Sequence, residues 1–142
     1  MTVVVAVQDR TRSRAAIRAA AQEAAYRQAK LIAVTAYSAD GAVAAPAARP
    51  ASALRTADEE QARAEDVLRD ATLDALGRAA AQVELRVMHG LPGRSLVDAA
   101  RTLGAELLVV GSRSERAMTW LLGSQYVLRN APCPVLVVPD TG

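Results

Sequence analysis

The 142-residue chain has no phenylalanine, one histidine, one cysteine and one tryptophan, and aromatic residues make up 3% of it. Each scarcity removes a class of function. Cys133 has no second cysteine to pair with, so no internal disulfide forms, and the thiol fits a reducing compartment. A single histidine and a single cysteine give no redox or metal cluster, and no metal site is expected. One tryptophan and three tyrosines are too few for a base-stacking platform, and a net charge of +2 adds little attraction for a nucleic acid backbone. No apolar stretch approaches the roughly 20 residues that span a bilayer. The opening "MTVVVAVQDRTRS" lacks both the basic leader and the apolar length of a secretory signal. The expectation is a cytoplasmic single domain, residues 1–142, with no membrane insertion and no nucleic acid partner. At 51% hydrophobic residues, the chain can fill one core but would crowd two.

Short apolar runs recur along the chain: Val3–Val7, "KLIAVTAY" (30–37), "VELRVM" (83–88), "ELLVVG" (106–111) and "PVLVVP" (134–139). They are rich in β-branched residues, and several are too apolar to leave either sheet face in water, as strands of a covered parallel sheet require. Alanine-rich stretches of helical length separate them, at roughly 12–29, 52–80, 94–103 and 117–130. In the second stretch Ala57, Gln61, Ala64, Leu68, Ala71 and Ala75 recur every three or four residues, while Asp58, Glu59, Glu65, Asp66 and Asp70 fall largely outside that face. Alternating strands and helices predict an α/β fold, an open, mostly parallel five-stranded Rossmann-like sheet with helices on both faces. Residues 38–51, with Gly41, Pro46 and Pro50 among small residues, read as an irregular loop. Charge is uneven: residues 1–30 carry six Lys/Arg against two Asp/Glu, and residues 51–80 carry four against seven. A solvated surface accounts for this.

In such a sheet the loops at the strand carboxyl ends gather at one edge, where ligands bind beside a reversal of strand order. The relevant tips are 8–12, 37–40, 89–93 and 111–116. The last opens "VVGSRSERAMTWLLGS", Val109–Ser124, whose backbone amides, hydroxyls and Arg113 suit a small anion. Its spacing does not fit GxxxxGK[ST], and no lysine lies nearby, so a Walker-type phosphate loop is unsupported. Gly90, Pro92 and Gly93 shape the turn after His89, which is placed at the same edge and suits loop hydrogen bonding or exposure better than acid-base work. Trp120, with Leu121, suits burial or a protein interface. Cys133, between two prolines, suits a small apolar role and not a catalytic one.

The ending "GSRS…LLGSQYVLRNAPCPVLVVP" resembles the C-terminal signature of the universal stress protein family, and the likeness extends across nearly the whole chain. "VVVAVQDRTRSRAAIRAA" is similar to the family's first strand and helix, and "VMHGLPGRSLVDAARTLGAELLVVG" to its third strand, following helix and fourth strand. Members that bind ATP carry Gly-x-x-Gly, nine further residues, then Gly-Ser or Gly-Thr. Here Gly111 holds the first position, Ser114 the second, and eight residues, Glu115–Leu122, precede Gly123-Ser124. Gln8 stands where the family has an aspartate, and Asp9 follows it. The motif is therefore degenerate: Ser114 adds a side chain where the family's loop has only hydrogen, a source of strain if that position needs positive φ, and Gln8 is a weaker acceptor than a carboxylate.

The resemblance implies a stress-response or regulatory homodimer that binds ATP or another adenine nucleotide weakly, and an interaction partner more readily than a catalyst. The implied nucleotide residues are Ala6, Gln8, Asp9, Val110, Gly111, Arg113, Ser114, Gly123, Ser124 and Gln125. Adenine is expected near Ala6–Gln8 and the end of the second strand, with phosphates near 111–114 and 123–125. Dimerisation by antiparallel pairing of last strands carries over to Val135, Leu136, Val137 and Val138. Two alternatives stand beside this reading: slow nucleotide hydrolysis in the same cleft, and an interaction module without nucleotide, docking an unknown protein partner.

Overall fold

Val3, Val4 and Val5 are wholly buried, and their need for cover on both faces organises the molecule. The computed structural model describes residues 1–8, 13–37, 57–112 and 125–139. Their strands are β1 (Thr2–Ala6), β2 (Lys30–Tyr37), β3 (Glu84–His89), β4 (Leu107–Ser112) and β5 (Val135–Pro139). They form one sheet in the order β3-β2-β1-β4-β5, with every neighbouring pair parallel. The helices are α1 (Arg14–Arg27), α2 (Ala57–Leu76) and α3 (Pro92–Thr102), and residues 125–130 are also helical. Loop 38–51 lies outside the described residues, as does most of the stretch 117–130 read as helix.

Alternation along the strands divides the core in two. Val3, Val5, Leu31, Ala33, Leu107 and Val109 pack against Ala16, Ile17, Ala20 and Ala24 of α1 and Leu68, Ala71 and Ala75 of α2. Val4, Ile32, Val34, Leu108 and Val110 face the other way, onto Leu96, Val97, Ala99 and Ala100 of α3 and onto Val127. Helices thus cover both faces, and their alanines let the helix backbones sit close to the sheet. On the first face Arg14 joins Asp74 through Nη2 at 2.7 Å and Nε at 2.8 Å, and Arg18 Nε donates to the Ala75 carbonyl at 3.0 Å. These contacts tie α1 to the end of α2.

The apolar stripe read along 57–75 is half realised: Leu68, Ala71 and Ala75 are buried, whereas Ala57 and Gln61 are exposed. Nor does the second helical stretch run unbroken to residue 80. Gly77 takes φ +57°, a left-handed conformation that ends α2, and Gly77–Gln82 continue as a 3-10 helix. α3 ends on a Schellman turn: Gly104, at φ +64°, donates to Arg101 at 3.3 Å, and Ala105 donates to Ala100 at 2.9 Å. α1 ends in the same geometry without a glycine, because Gln28 occupies the left-handed position at φ +51°.

Candidate functional site

β1 lies between β2 and β4, so the chain departs to one side of it for β2 and later fills the other side with β4. This is the reversal of strand order at which a parallel sheet opens a crevice at its carboxyl edge. Register pairs Val5 with Val109, which brings Ala6 and Val110 side by side one residue further on. Gln8 follows with its side chain exposed. Its backbone amide donates to Ser13 Oγ at 3.0 Å, and Ser13 is 4% exposed. Ser13 stands at the N-cap of α1 but caps nothing there, since its hydroxyl serves the first loop. The Val7 amide donates to the Val34 carbonyl at 2.8 Å and carries the β1 to β2 pairing to the rim.

Gly111 and Ser112 are still strand residues, paired with Val138 and Pro139, so β4 runs one residue beyond the sequence reading. Gln125 is exposed, and Tyr126 is half-buried against the cluster that holds Val110 and Val127. Arg94, in the first turn of α3, places Cζ 5.7 Å from the Tyr126 ring centroid. The structure thus brings Ala6, Gln8, Val110, Gly111 and Gln125 to the carboxyl side of the fold. Asp9, Arg113, Ser114, Gly123 and Ser124 lie outside the described residues, as do Trp120 and Leu121.

The ends of β2 and β3 form the flank of this edge. The Tyr37 and His89 rings meet edge to face, with centroids 5.1 Å apart. Tyr37 Oη donates to Gln61 Oε1 at 3.1 Å, and Gln61 Nε2 donates to Glu65 Oε1 at 3.3 Å. Gly90 follows at φ +135°, a conformation that L side chains rarely adopt. Its amide donates to the Tyr37 carbonyl at 2.8 Å, and Ser95 Oγ reaches the His89 carbonyl at 3.5 Å. Only the first of the two glycines read as relaxing this turn takes positive φ, because Gly93 already lies in α3.

Sequence reasoning missed Ser13, Arg94 with Tyr126, and the contact of Tyr37 with Gln61. Ser13 has a visible signal, a serine just before a helix, but that signal names a cap and not a loop anchor. The others join residues from separate elements and leave no local trace.

Among the described residues no group of three or more His, Cys, Asp or Glu side chains is arranged to hold a metal ion. No described helix is long and apolar enough to cross a membrane. Cys133 packs beside the α3-side core, and burial pushes its thiol above the ordinary value, which suits an inert side chain.

The universal stress protein family model matches residues 1–139. The chain belongs to the universal stress protein family. A universal stress protein crystallised in complex with cAMP is 28% identical at a TM-score of 0.63, with 99% of this chain and 98% of that one covered. The Archaeoglobus fulgidus universal stress protein shares the fold at a TM-score of 0.73 and 24% identity, over 97% of this chain and 93% of its own. A structure of the Archaeoglobus fulgidus protein in complex with dAMP aligns at a TM-score of 0.72 and 24% identity, over 97% of each chain. No curated protein matches significantly. The family read from "APCPVLVVP" and its companion segments and the Rossmann-like parallel sheet are thus both found.

Proposed function

We propose that this universal stress protein is a regulatory homodimer of the stress-response type that binds an adenine nucleotide at the carboxyl edge of its sheet. It acts through the conformation or assembly the ligand stabilises, not through catalysis. The observation that carries the reading is the convergence of Ala6–Gln8 with Val110–Ser112 across the β1/β4 reversal. The relative crystallised with cAMP, 28% identical over nearly the full length of both chains, supports an adenine nucleotide as the ligand.

Each part of the edge has a task. The Ser13 hydroxyl holds the Gln8 amide, and the exposed carboxamide of Gln8 offers a donor and an acceptor to base or ribose. Gly111 lets the end of β4 approach a ligand without a side chain in the way, and Ser112 and Gln125 add polar groups beside it. Asp9, Arg113, Ser114, Gly123 and Ser124 complete the set on sequence grounds. Gln8 in place of a carboxylate and Ser114 in place of a glycine make the affinity weaker than in members with the full motif.

Calorimetry with ATP, ADP, AMP and cyclic AMP tests this reading. Saturable binding by the wild type, lost in Gly123→Asp where a carboxylate enters the loop, is the expected result. No saturable binding of any of the four would leave the fold as an interaction module without nucleotide.

A further inference from the structure

The geometry points to Arg94, held in place by the ring of Tyr126, as a phosphate-binding residue that makes the site favour phosphorylated nucleosides over the free nucleoside. This deepens the nucleotide reading and rests on it.

Arg94 is poorly placed for the stability of its own helix. It lies in the first turn of α3, where a cation opposes the helix dipole, and no acidic residue shares that turn. Asp98, one helical turn along and within reach, instead faces Arg101, with Nη1 to Oδ1 at 3.8 Å. Among the described residues Arg94 has no hydrogen bond or ion pair; what it touches is the Tyr126 ring, at 5.7 Å from Cζ to centroid. That contact positions the guanidinium without giving its N–H donors an oxygen acceptor.

Tyr126 is a firm support. It packs on the cluster of Val110, Val127, Leu96 and Val97, and its carbonyl accepts the Asn130 side-chain amide at 2.9 Å. It also directly follows Gln125 in the chain, so the guanidinium rests on the neighbour of a residue assigned to phosphate. A planar, permanently charged fork with free donors is the side chain best matched to phosphate oxygens. No lysine lies near this edge to supply that charge.

Titrating ATP, adenosine and inorganic triphosphate into wild type, Arg94→Gln, Tyr126→Phe and Tyr126→Leu, each checked by circular dichroism for an intact fold, tests the assignment. Arg94→Gln is expected to lose about tenfold in affinity for ATP and for triphosphate while adenosine is unchanged. Tyr126→Phe keeps the ring and should match wild type, whereas Tyr126→Leu should lose several-fold. Unaltered ATP and triphosphate affinity in Arg94→Gln would overturn the assignment, and so would an equal loss for adenosine, which marks a structural role. If wild type binds triphosphate through Arg94 but no nucleotide, the nucleotide reading and the nucleoside selectivity fail and Arg94 stands as a phosphate-binding residue alone. Binding of neither overturns both.

Discussion

Of the described residues with positive φ, Gly90 and Gln28 hold it for opposite reasons. Gly90 needs its conformation: at φ +135° a Cβ would lie 2.7 Å from Ser95 Oγ, so alanine there is strained by both backbone and contact. Gly90→Ala is expected to destabilise by roughly 2–4 kcal/mol in urea unfolding, because Ser95 must also give up the His89 carbonyl. Gln28 adopts φ +51° without a glycine's freedom, yet its Schellman bonds are complete, with Ala29 donating to Ala24 at 2.8 Å. Gln28→Gly should therefore stabilise by about 1 kcal/mol, read as a rise in Tm.

The two outer strands of the sheet are finished differently. β3 carries charge on its exposed edge: Glu84 accepts from Lys30 Nζ at 2.8 Å and from Arg86 Nε at 2.9 Å. Such a ladder discourages a further strand. Hydrogen bonds from Lys30 and then Arg86 hold the Glu84 carboxyl below its ordinary value of 4.5. A carboxylate whose folded value is depressed contributes stability above its unfolded value and loses it as pH falls through the folded one. Glu84→Gln should thus flatten the acid limb of the stability profile below about pH 4.5 and leave its neutral slope unchanged, as denaturant midpoints against pH will show. Leu68 is wholly buried under β-strands and α1, and Leu68→Ala is expected to cost about 3 kcal/mol by leaving a cavity.

At the scale of the whole molecule, β5 is the open side. Among the described residues it pairs only with β4, its residues Val135 to Val138 are apolar, and Val137 is 43% exposed. An unguarded apolar edge opposite a charged one is what the proposed twofold pairing of last strands uses. Val137→Lys adds a charge that a self-pairing edge must bring against its own copy. Sedimentation is expected to show a dimer for wild type and a monomer for this variant, with unchanged secondary structure. A concentration-independent wild-type monomer would exclude the pairing.

Much of this arrangement was legible along the chain. The five apolar runs mark five strands within a residue or two, since continuous β-branched stretches have no water-facing side to show. "APCPVLVVP" and "VVGSRS" identify the family, and their position after strands puts Gly111 at the carboxyl edge. Gly77 marks a break that alanine-rich sequence on either side conceals, because helix propensity continues through residues whose backbone does not. Composition and periodicity are properties of neighbours in sequence, so they determine which segments are strands and which are helices, while the family is legible in the motif segments. The tertiary structure alone decided the order β3-β2-β1-β4-β5, the face each helix covers, Ser13 beneath Gln8, and Arg94 over Tyr126. Apart from the Gln8–Ser13 bond, which closes a five-residue loop, those contacts join segments far apart in the chain, and their distances follow from strand register and core packing, which no local pattern records.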